Sequence, residues 1–319
     1  MKPIVFVPER IASAGIELLG AECDVIAPWL KEREPEVAMV YEADAVIVRL
    51  FRIGAAELAG SRRLKVIAKH GVGVDNIDVE AATARKVAVV FTPDANSNAV
   101  AEHAVALMLA LARQIAPAAE AVRDGRFHER GRFQGVELAG KTLGVVGLGR
   151  IGARVAEIAA KGFGMRVLGY DLMLTAGAPR PPAQRVDSQD ALLGEVDFLS
   201  LHVPLSRETF HMISAEALAR LKPGCRIINT SRGAVIDESA LAAALQAGTL
   251  AGAALDVFEA EPLLPDHPLC RAPNTLLTPH ISSSTEEALE RMATDAAAGV
   301  LDVLGGRRPK FPVNPEVLA

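Results

Sequence analysis

Short apolar runs rich in Val, Ile and Ala alternate along the chain with longer segments rich in Ala, Leu and Glu. Runs of four or five residues bounded by turn signals read as strands buried on both faces, and the longer segments as helices, so the pattern predicts βα units around parallel sheets. A first series of predicted strands covers residues 4–7, 45–48, 65–68 and 87–90, and a second covers 142–146, 166–170, 198–201, 226–229 and 252–255. Between them lie Asn98 as a predicted N-cap, a helix over 99–113 and a polar loop over 124–135. Two sheets, and hence two domains, fit this interruption better than one. Residues 177–182, with three prolines, predict a surface connection. A last helix over 285–304 ends at Gly305 and Gly306, and the proline-containing tail after it is too short for another domain. No repeat of fixed period is visible.

Composition narrows the class of protein. Half of the 319 residues are hydrophobic, enough for a large core and for about two domains. A net charge of −5 and a pI near 5.9 give no basic field for phosphate backbones or anionic lipid, so nucleic-acid and membrane partners are not expected. The apolar run 4–7 is too short for a signal-peptide core, and the longest apolar stretch, 104–112, is half of what a membrane span needs. A cytoplasmic location is expected. Cys23, Cys225 and Cys270 are far apart and lack metal-type spacing, so they read as reduced structural thiols with no metal site.

The strongest chemical signal follows the predicted strand 142–146. Gly147-Leu148-Gly149-Arg150-Ile151-Gly152 leads into a helical pattern over 150–161. Gly147 permits the tight turn, Gly149 lets a pyrophosphate approach the backbone, and Gly152 lets helix and strand pack closely. The helix N-terminus then offers N–H groups and the positive end of its dipole to the phosphates. Nineteen residues past Gly152, Asp171 stands where this fingerprint places an acid for the ribose 2′-hydroxyl. A carboxylate there repels a 2′-phosphate and Leu172 and Met173 supply no compensating cation, so NAD is expected rather than NADP.

Three ionisable residues sit at the carboxyl ends of later strands, where open α/β sheets bind ligands: Arg232 in Asn229-Thr230-Ser231-Arg232-Gly233, Glu261 before Pro262, and His280 after Pro279. Taken singly, each reads equally well as a surface turn, a solvated loop or a loop histidine bonded to backbone. Together, and behind a dinucleotide fingerprint, they resemble the D-isomer-specific 2-hydroxyacid dehydrogenases. The resemblance runs through Val48-Arg49, Gly71-Val72-Gly73-Val74-Asp75-Asn76-Ile77-Asp78, Ala101-Glu102, Leu201-His202-Val203-Pro204-Leu205 and Val313-Asn314-Pro315, so it covers nearly the whole chain.

That resemblance implies hydride transfer between a nicotinamide and C2 of a small 2-oxo or 2-hydroxy acid of the D-series, of the hydroxypyruvate, glyoxylate or 3-phosphoglycerate type. It implies a catalytic set of Arg232, Glu261 and His280, and elementary chemistry agrees. Reducing a ketone leaves negative charge on oxygen, and an imidazole, with an ordinary pKa of about 6.5, is a suitable donor. Glu261 would orient the ring and stabilise its cation, and Arg232 would bind the substrate carboxylate and polarise the carbonyl. By the same resemblance Val72 and Gly73 receive the substrate carboxylate and Arg49 its far end. Arg150, Ile151, His202, Val203, Pro204, Thr230, Ser231, Asp256 and Ser282 lie near the cofactor. Lys69 and His70 read as local structure. The implied architecture is two doubly wound α/β domains with a cleft between them: a flavodoxin-like substrate domain of residues 1–97 and 285–319, and a Rossmann domain of residues 98–284. A homodimer is implied, with the helix around 104–112 in its interface.

Several positions depart from the family pattern. Leu50 and Phe51 follow Arg49 where phosphoglycerate dehydrogenases carry a small polar residue, which argues against a phosphorylated substrate. Ile281-Ser282-Ser283-Ser284 replaces the usual glycine after His280. No C-terminal regulatory extension, and hence no feedback by serine through one, is expected. Glu261 also separates the chain from formate dehydrogenases, which use Gln there. The alternative from another class is an NADH-sensing corepressor of the same fold, which would bind the dinucleotide without turnover.

Overall fold

The computed structural model describes residues 2–173 and 182–318. Residues 177–181 of the expected surface connection lie outside the described residues. The chain divides into two compact units, residues 1–96 with 284–319, and residues 97–283.

The first unit holds five parallel strands: β1 (Ile4–Phe6), β2 (Asp24–Ile26), β3 (Ala45–Val48), β4 (Val66–Lys69) and β5 (Ala88–Val90), in the order β2-β1-β3-β4-β5. This is a flavodoxin-like order, and its reversal lies between β1 and β3. Every residue of β3, β4 and β5 is buried, because helices cover both faces of the sheet; such strands read as continuous apolar runs. The last helix, Glu286–Leu304, returns to this unit, and Thr285 caps it by accepting the Ala288 N–H at 3.2 Å. It packs on the helix Ser13–Glu22 so closely that a Cβ on Gly15 would lie 2.8 Å from the Ala293 Cβ. The tail is sewn down by Asn314, which accepts the Val89 N–H at 2.7 Å and donates to the Val87 carbonyl at 3.0 Å.

The second unit holds β6 (Thr142–Val146), β7 (Arg166–Tyr170), β8 (Gln184–Arg185), β9 (Phe198–Leu201), β10 (Arg226–Asn229), β11 (Gly252–Leu255) and β12 (Thr275–Leu277). They are all parallel, in the order β12-β11-β10-β9-β6-β7-β8. The expected fold, two doubly wound parallel sheets, is thus present, with β2, β8 and β12 added to the strands read from the pattern.

One expectation for the interrupting helix needs correction. It spans Ser97–Ala112 and begins before Asn98, whose side chain instead donates to Glu102 four residues on at 2.7 Å. Along it Ala104, Leu107, Met108, Leu111 and Ala112 are buried within this single chain, against the helix Arg150–Phe163 and the sheet. The large exposed apolar side chains come just afterwards, at Ile115, Val122 and Phe127. No single helix among the described residues is long and apolar enough to cross a membrane.

Candidate active site

The strand order of the second unit reverses between β9 and β6, and this is where the glycine fingerprint sits. Gly147 leaves β6 at φ +89, and a Cβ there would strike the His202 carbonyl at 2.5 Å, so the turn needs glycine for both conformation and space. A Cβ on Gly152 would fall 1.9 Å from the Gly147 carbonyl, which ties the helix Arg150–Phe163 directly onto the turn. Gly149, by contrast, faces open space and caps the helix without a side-chain acceptor, leaving room for an anion at the helix N-terminus. The Asp171 carboxylate accepts the Leu148 N–H at 2.6 Å and the Met173 N–H at 2.8 Å, so it is fixed beside that turn. Buried Val203 lines the turn at Gly147, and Pro204 beside it is exposed. His202 bonds Ser200 Oγ at 2.8 Å, and burial lowers its pKa to about 3, so it is neutral. Thr230 Oγ1, at the end of β10, is buried and has no hydrogen-bond partner. An open glycine cradle, a fixed carboxylate and an orphaned hydroxyl fit a dinucleotide.

The catalytic candidates stand at the ends of β10, β11 and β12. Asn229 Oδ1 accepts both the N–H and the hydroxyl of Ser231, at 2.9 and 2.7 Å, while its Nδ2 donates to the Arg232 carbonyl at 2.9 Å. Ser231 is therefore used to fold the turn that presents Arg232. Glu261 Oε1 accepts the Phe258 N–H at 3.1 Å, and Oε2 lies 2.8 Å from His280 Nδ1. Burial pushes the Glu261 pKa up, but the His280 hydrogen bond and charge, the Phe258 N–H and the Arg232 charge outweigh it and hold the carboxyl below its usual range. The Arg232 guanidinium also donates to the Ser231 carbonyl at 2.7 Å.

His280 adopts φ +53, a left-handed conformation that costs a non-glycine residue about 1 kcal/mol and needs support. Asp256 provides it. Its carbonyl accepts the His280 N–H at 2.9 Å, and its fully buried carboxylate accepts from Thr278 Oγ1, Ile281 N and Ser282 N at 2.6, 2.9 and 2.8 Å. Asp256 and Ser282, read from sequence as cofactor neighbours, are bonded to each other and build the loop that carries His280. His103, which sequence reasoning passed over, reaches Thr278 Oγ1 at 3.3 Å from the helix Ser97–Ala112. Its only signal was its place beside Ala101-Glu102.

In the first unit, the Glu9 carboxylate accepts the successive N–H groups of Arg49, Leu50 and Phe51 at 2.7 to 2.9 Å, and Arg49 donates to the Arg10 carbonyl. Lys69 bonds the Arg49 carbonyl and Asn76 Oδ1, and Asn76 donates to the Phe51 carbonyl at 2.7 Å. Glu9, Lys69 and Asn76 thus fix the loop that carries Arg49. Leu50 on it is 65% exposed. Thr92 pins Gly71, the residue before Val72 and Gly73, by accepting its N–H and bonding its carbonyl at 3.0 and 3.1 Å.

Residues 105–282 match the model of the D-isomer specific 2-hydroxyacid dehydrogenase NAD binding domain, more than half of the chain. The chain belongs to the D-isomer specific 2-hydroxyacid dehydrogenase family. Among its relatives in this family, the D-3-phosphoglycerate dehydrogenase of Mycobacterium tuberculosis is 43% identical over 315 residues, covering 98% of this chain and 59% of that protein. The glyoxylate reductase of Thermofilum pendens is 40% identical over 326 residues, covering 99% of this chain and 96% of that protein. The chain therefore spans about three-fifths of the first relative and nearly all of the second. Among solved structures, a Thermus thermophilus protein has 38% identity and a TM-score of 0.88 over 97% of this chain and 99% of its own. An NADPH-dependent glyoxylate/hydroxypyruvate reductase of Sinorhizobium meliloti, in complex with NADP and malonate, has 29% identity and a TM-score of 0.87 over 98% and 97%.

Proposed function

We propose that this family member is an NAD-dependent D-2-hydroxyacid dehydrogenase working as a reductase of small 2-oxo acids. The observation that carries the reading is the 2.8 Å contact between Glu261 Oε2 and His280 Nδ1, beside Arg232 on the sheet that bears the glycine fingerprint. A bound nicotinamide supplies the hydride in reduction and takes it in oxidation. With Nδ1 committed to Glu261, His280 has Nε2 left to give a proton to the carbonyl oxygen or to take it back from the hydroxyl. Glu261 fixes the ring and stabilises its cation while the proton is held. Arg232 addresses the carboxylate and carbonyl through its planar fork of donors.

Gly147, Gly149, Arg150, Ile151 and Gly152 hold the pyrophosphate, with Val203, Pro204, Thr230 and Ser231 around the dinucleotide. Asp171 selects NAD over NADP, since its fixed carboxylate would repel a 2′-phosphate. In the five-stranded unit, the Val72 and Gly73 N–H groups are offered to a carboxylate, and Arg49 to the far end of the acid. Exposed Leu50 beside Arg49 favours an acid without phosphate, of the glyoxylate or hydroxypyruvate kind. Residues 97–283 act as the cofactor domain and the remainder as the substrate domain. Free Cys23, Cys225 and Cys270 suit a cytoplasmic protein. A homodimer using the exposed Ile115–Phe127 segment would elute at twice the 33.6 kDa chain mass, and a monomer would refute it.

A panel of glyoxylate, hydroxypyruvate, pyruvate and phosphohydroxypyruvate with NADH tests the function. Turnover of the unphosphorylated acids is expected to exceed that of phosphohydroxypyruvate. NADH binding without reduction of any of them would favour a sensor instead.

A further inference from the structure

We propose that Glu238 is a positioning residue for the Glu261–His280 pair, acting through a reciprocal latch with Glu259; this rests on the catalytic reading given above. Glu238 opens the helix Glu238–Gln246, where a carboxylate would gain from the helix dipole while remaining in water, as Glu216 does at the start of Ala215–Arg220. Glu238 is instead 5% exposed, and burying a carboxylate is costly unless its oxygens are matched. They are matched by the segment that leads to Glu261. Glu238 Oε1 accepts the Glu259 N–H at 2.8 Å, and Glu259 Oε1 accepts the Glu238 N–H at 3.1 Å. Each glutamate thus holds the other's amide, and a histidine backs each one: His267 Nε2 lies 3.4 Å from Glu238 Oε2, and His211 Nε2 lies 3.1 Å from Glu259 Oε1.

The latched peptide lies where two catalytic turns meet. A Cβ on Gly233, the residue after Arg232, would sit 1.9 Å from the Phe258 carbonyl carbon and 2.2 Å from Glu259 N, so the Arg232 turn rests directly on that peptide. On the other side, the Phe258 N–H holds Glu261 Oε1, and Oε2 meets His280. Without the Glu238 carboxylate, the Glu259 N–H loses its acceptor and the segment must move to find another. That movement displaces Glu261 from the imidazole it orients. The charged and titratable groups facing Glu238 are Glu259, Glu261 and His267, with His211 beyond Glu259.

The test compares the whole enzyme and its E238A, E238Q, E261Q and E238A/E261Q variants, reading the pH dependence of kcat/KM for hydroxypyruvate reduction, NADH affinity and Tm. In E261Q the alkaline fall of the profile is expected about one pH unit lower. In E238A it should move in the same direction by less, with kcat down about tenfold and NADH affinity unchanged. E238Q, which keeps an acceptor for the Glu259 N–H, should return kcat to within about threefold of the parent. The double variant should be no worse than E261Q alone. If E238A does not fold, E238D, with a shorter reach, takes its place. A lowered Tm with an unmoved profile in E238A, or additive losses in the double variant, would overturn the latch. An unmoved profile in E261Q would overturn the catalytic pairing and the latch with it.

Discussion

Burial pushes the Glu261 pKa up, but the His280 hydrogen bond and charge, the Phe258 N–H and the Arg232 charge together outweigh it and hold the carboxyl below its usual range. Its folded pKa lies below its ordinary value, so the associated stability is present above about pH 4.5 and is lost as acid carries the pH down through the folded value. A carboxylate beside an imidazole favours the protonated ring, so replacing Glu261 by Gln should move the alkaline fall in reductive activity to lower pH. A movement to higher pH would reverse the assigned sign. Arg232, Glu261 and His280 were singled out in the sequence by the motifs that resemble the family, since taken singly each reads equally well as an ordinary loop residue. Glu238, Glu9 and His103 were not, because they act as partners of backbone or of a hydroxyl, and a residue's type does not announce such partners.

At the scale of elements, interior strands were legible and most edges were not. β6, β7, β9, β10 and β11 coincide with the apolar runs, because helices bury both faces of a parallel sheet. β2, β8 and β12 are edges containing Asp24, Gln184 and Arg185, and Thr275, so they carry no continuous apolar run. The start of the helix Ser97–Ala112 was misread because Asn98 looks like a cap but bonds along the helix to Glu102. The fingerprint turn was legible because Gly147 and Gly152 have steric tasks and Gly149 leaves the helix N-terminus open. Asp171 belongs to this scale, as its carboxylate joins the end of β7 to that turn. Asp171→Asn should lower the ratio of kcat/KM for NAD over NADP by at least about tenfold, by removing the charge that repels a 2′-phosphate. An unchanged ratio would show that selectivity resides elsewhere.

For the whole molecule, His70 sets a limit on acid stability. It is 4% exposed, and burial, helped by the Arg49 and Lys69 charges and opposed by the His70 and Leu289 backbone, lowers its pKa to about 4. The unfolded chain therefore binds the proton first. Stability should fall as pH drops from 6.5 towards 4, by roughly 3 kcal/mol from this group alone. His70→Leu, similar in volume, should flatten the dependence of Tm on pH across that window; an unaltered slope would refute this role. The order of motifs, from Arg49 to Pro315, made the two-sheet architecture legible. Which chain covers each face of the apolar stretch 104–112 was not legible, since an apolar helix reads the same whether its own chain or a partner covers it.

On the proposed reading, His280 moves the proton on a fold that binds NAD independently of it. Steady-state reduction of hydroxypyruvate by NADH, with NADH affinity measured alongside, should show His280→Ala losing about a hundredfold or more in kcat while affinity stays within about threefold. Retained turnover in His280→Ala, or loss of NADH binding with the fold intact, would contradict it.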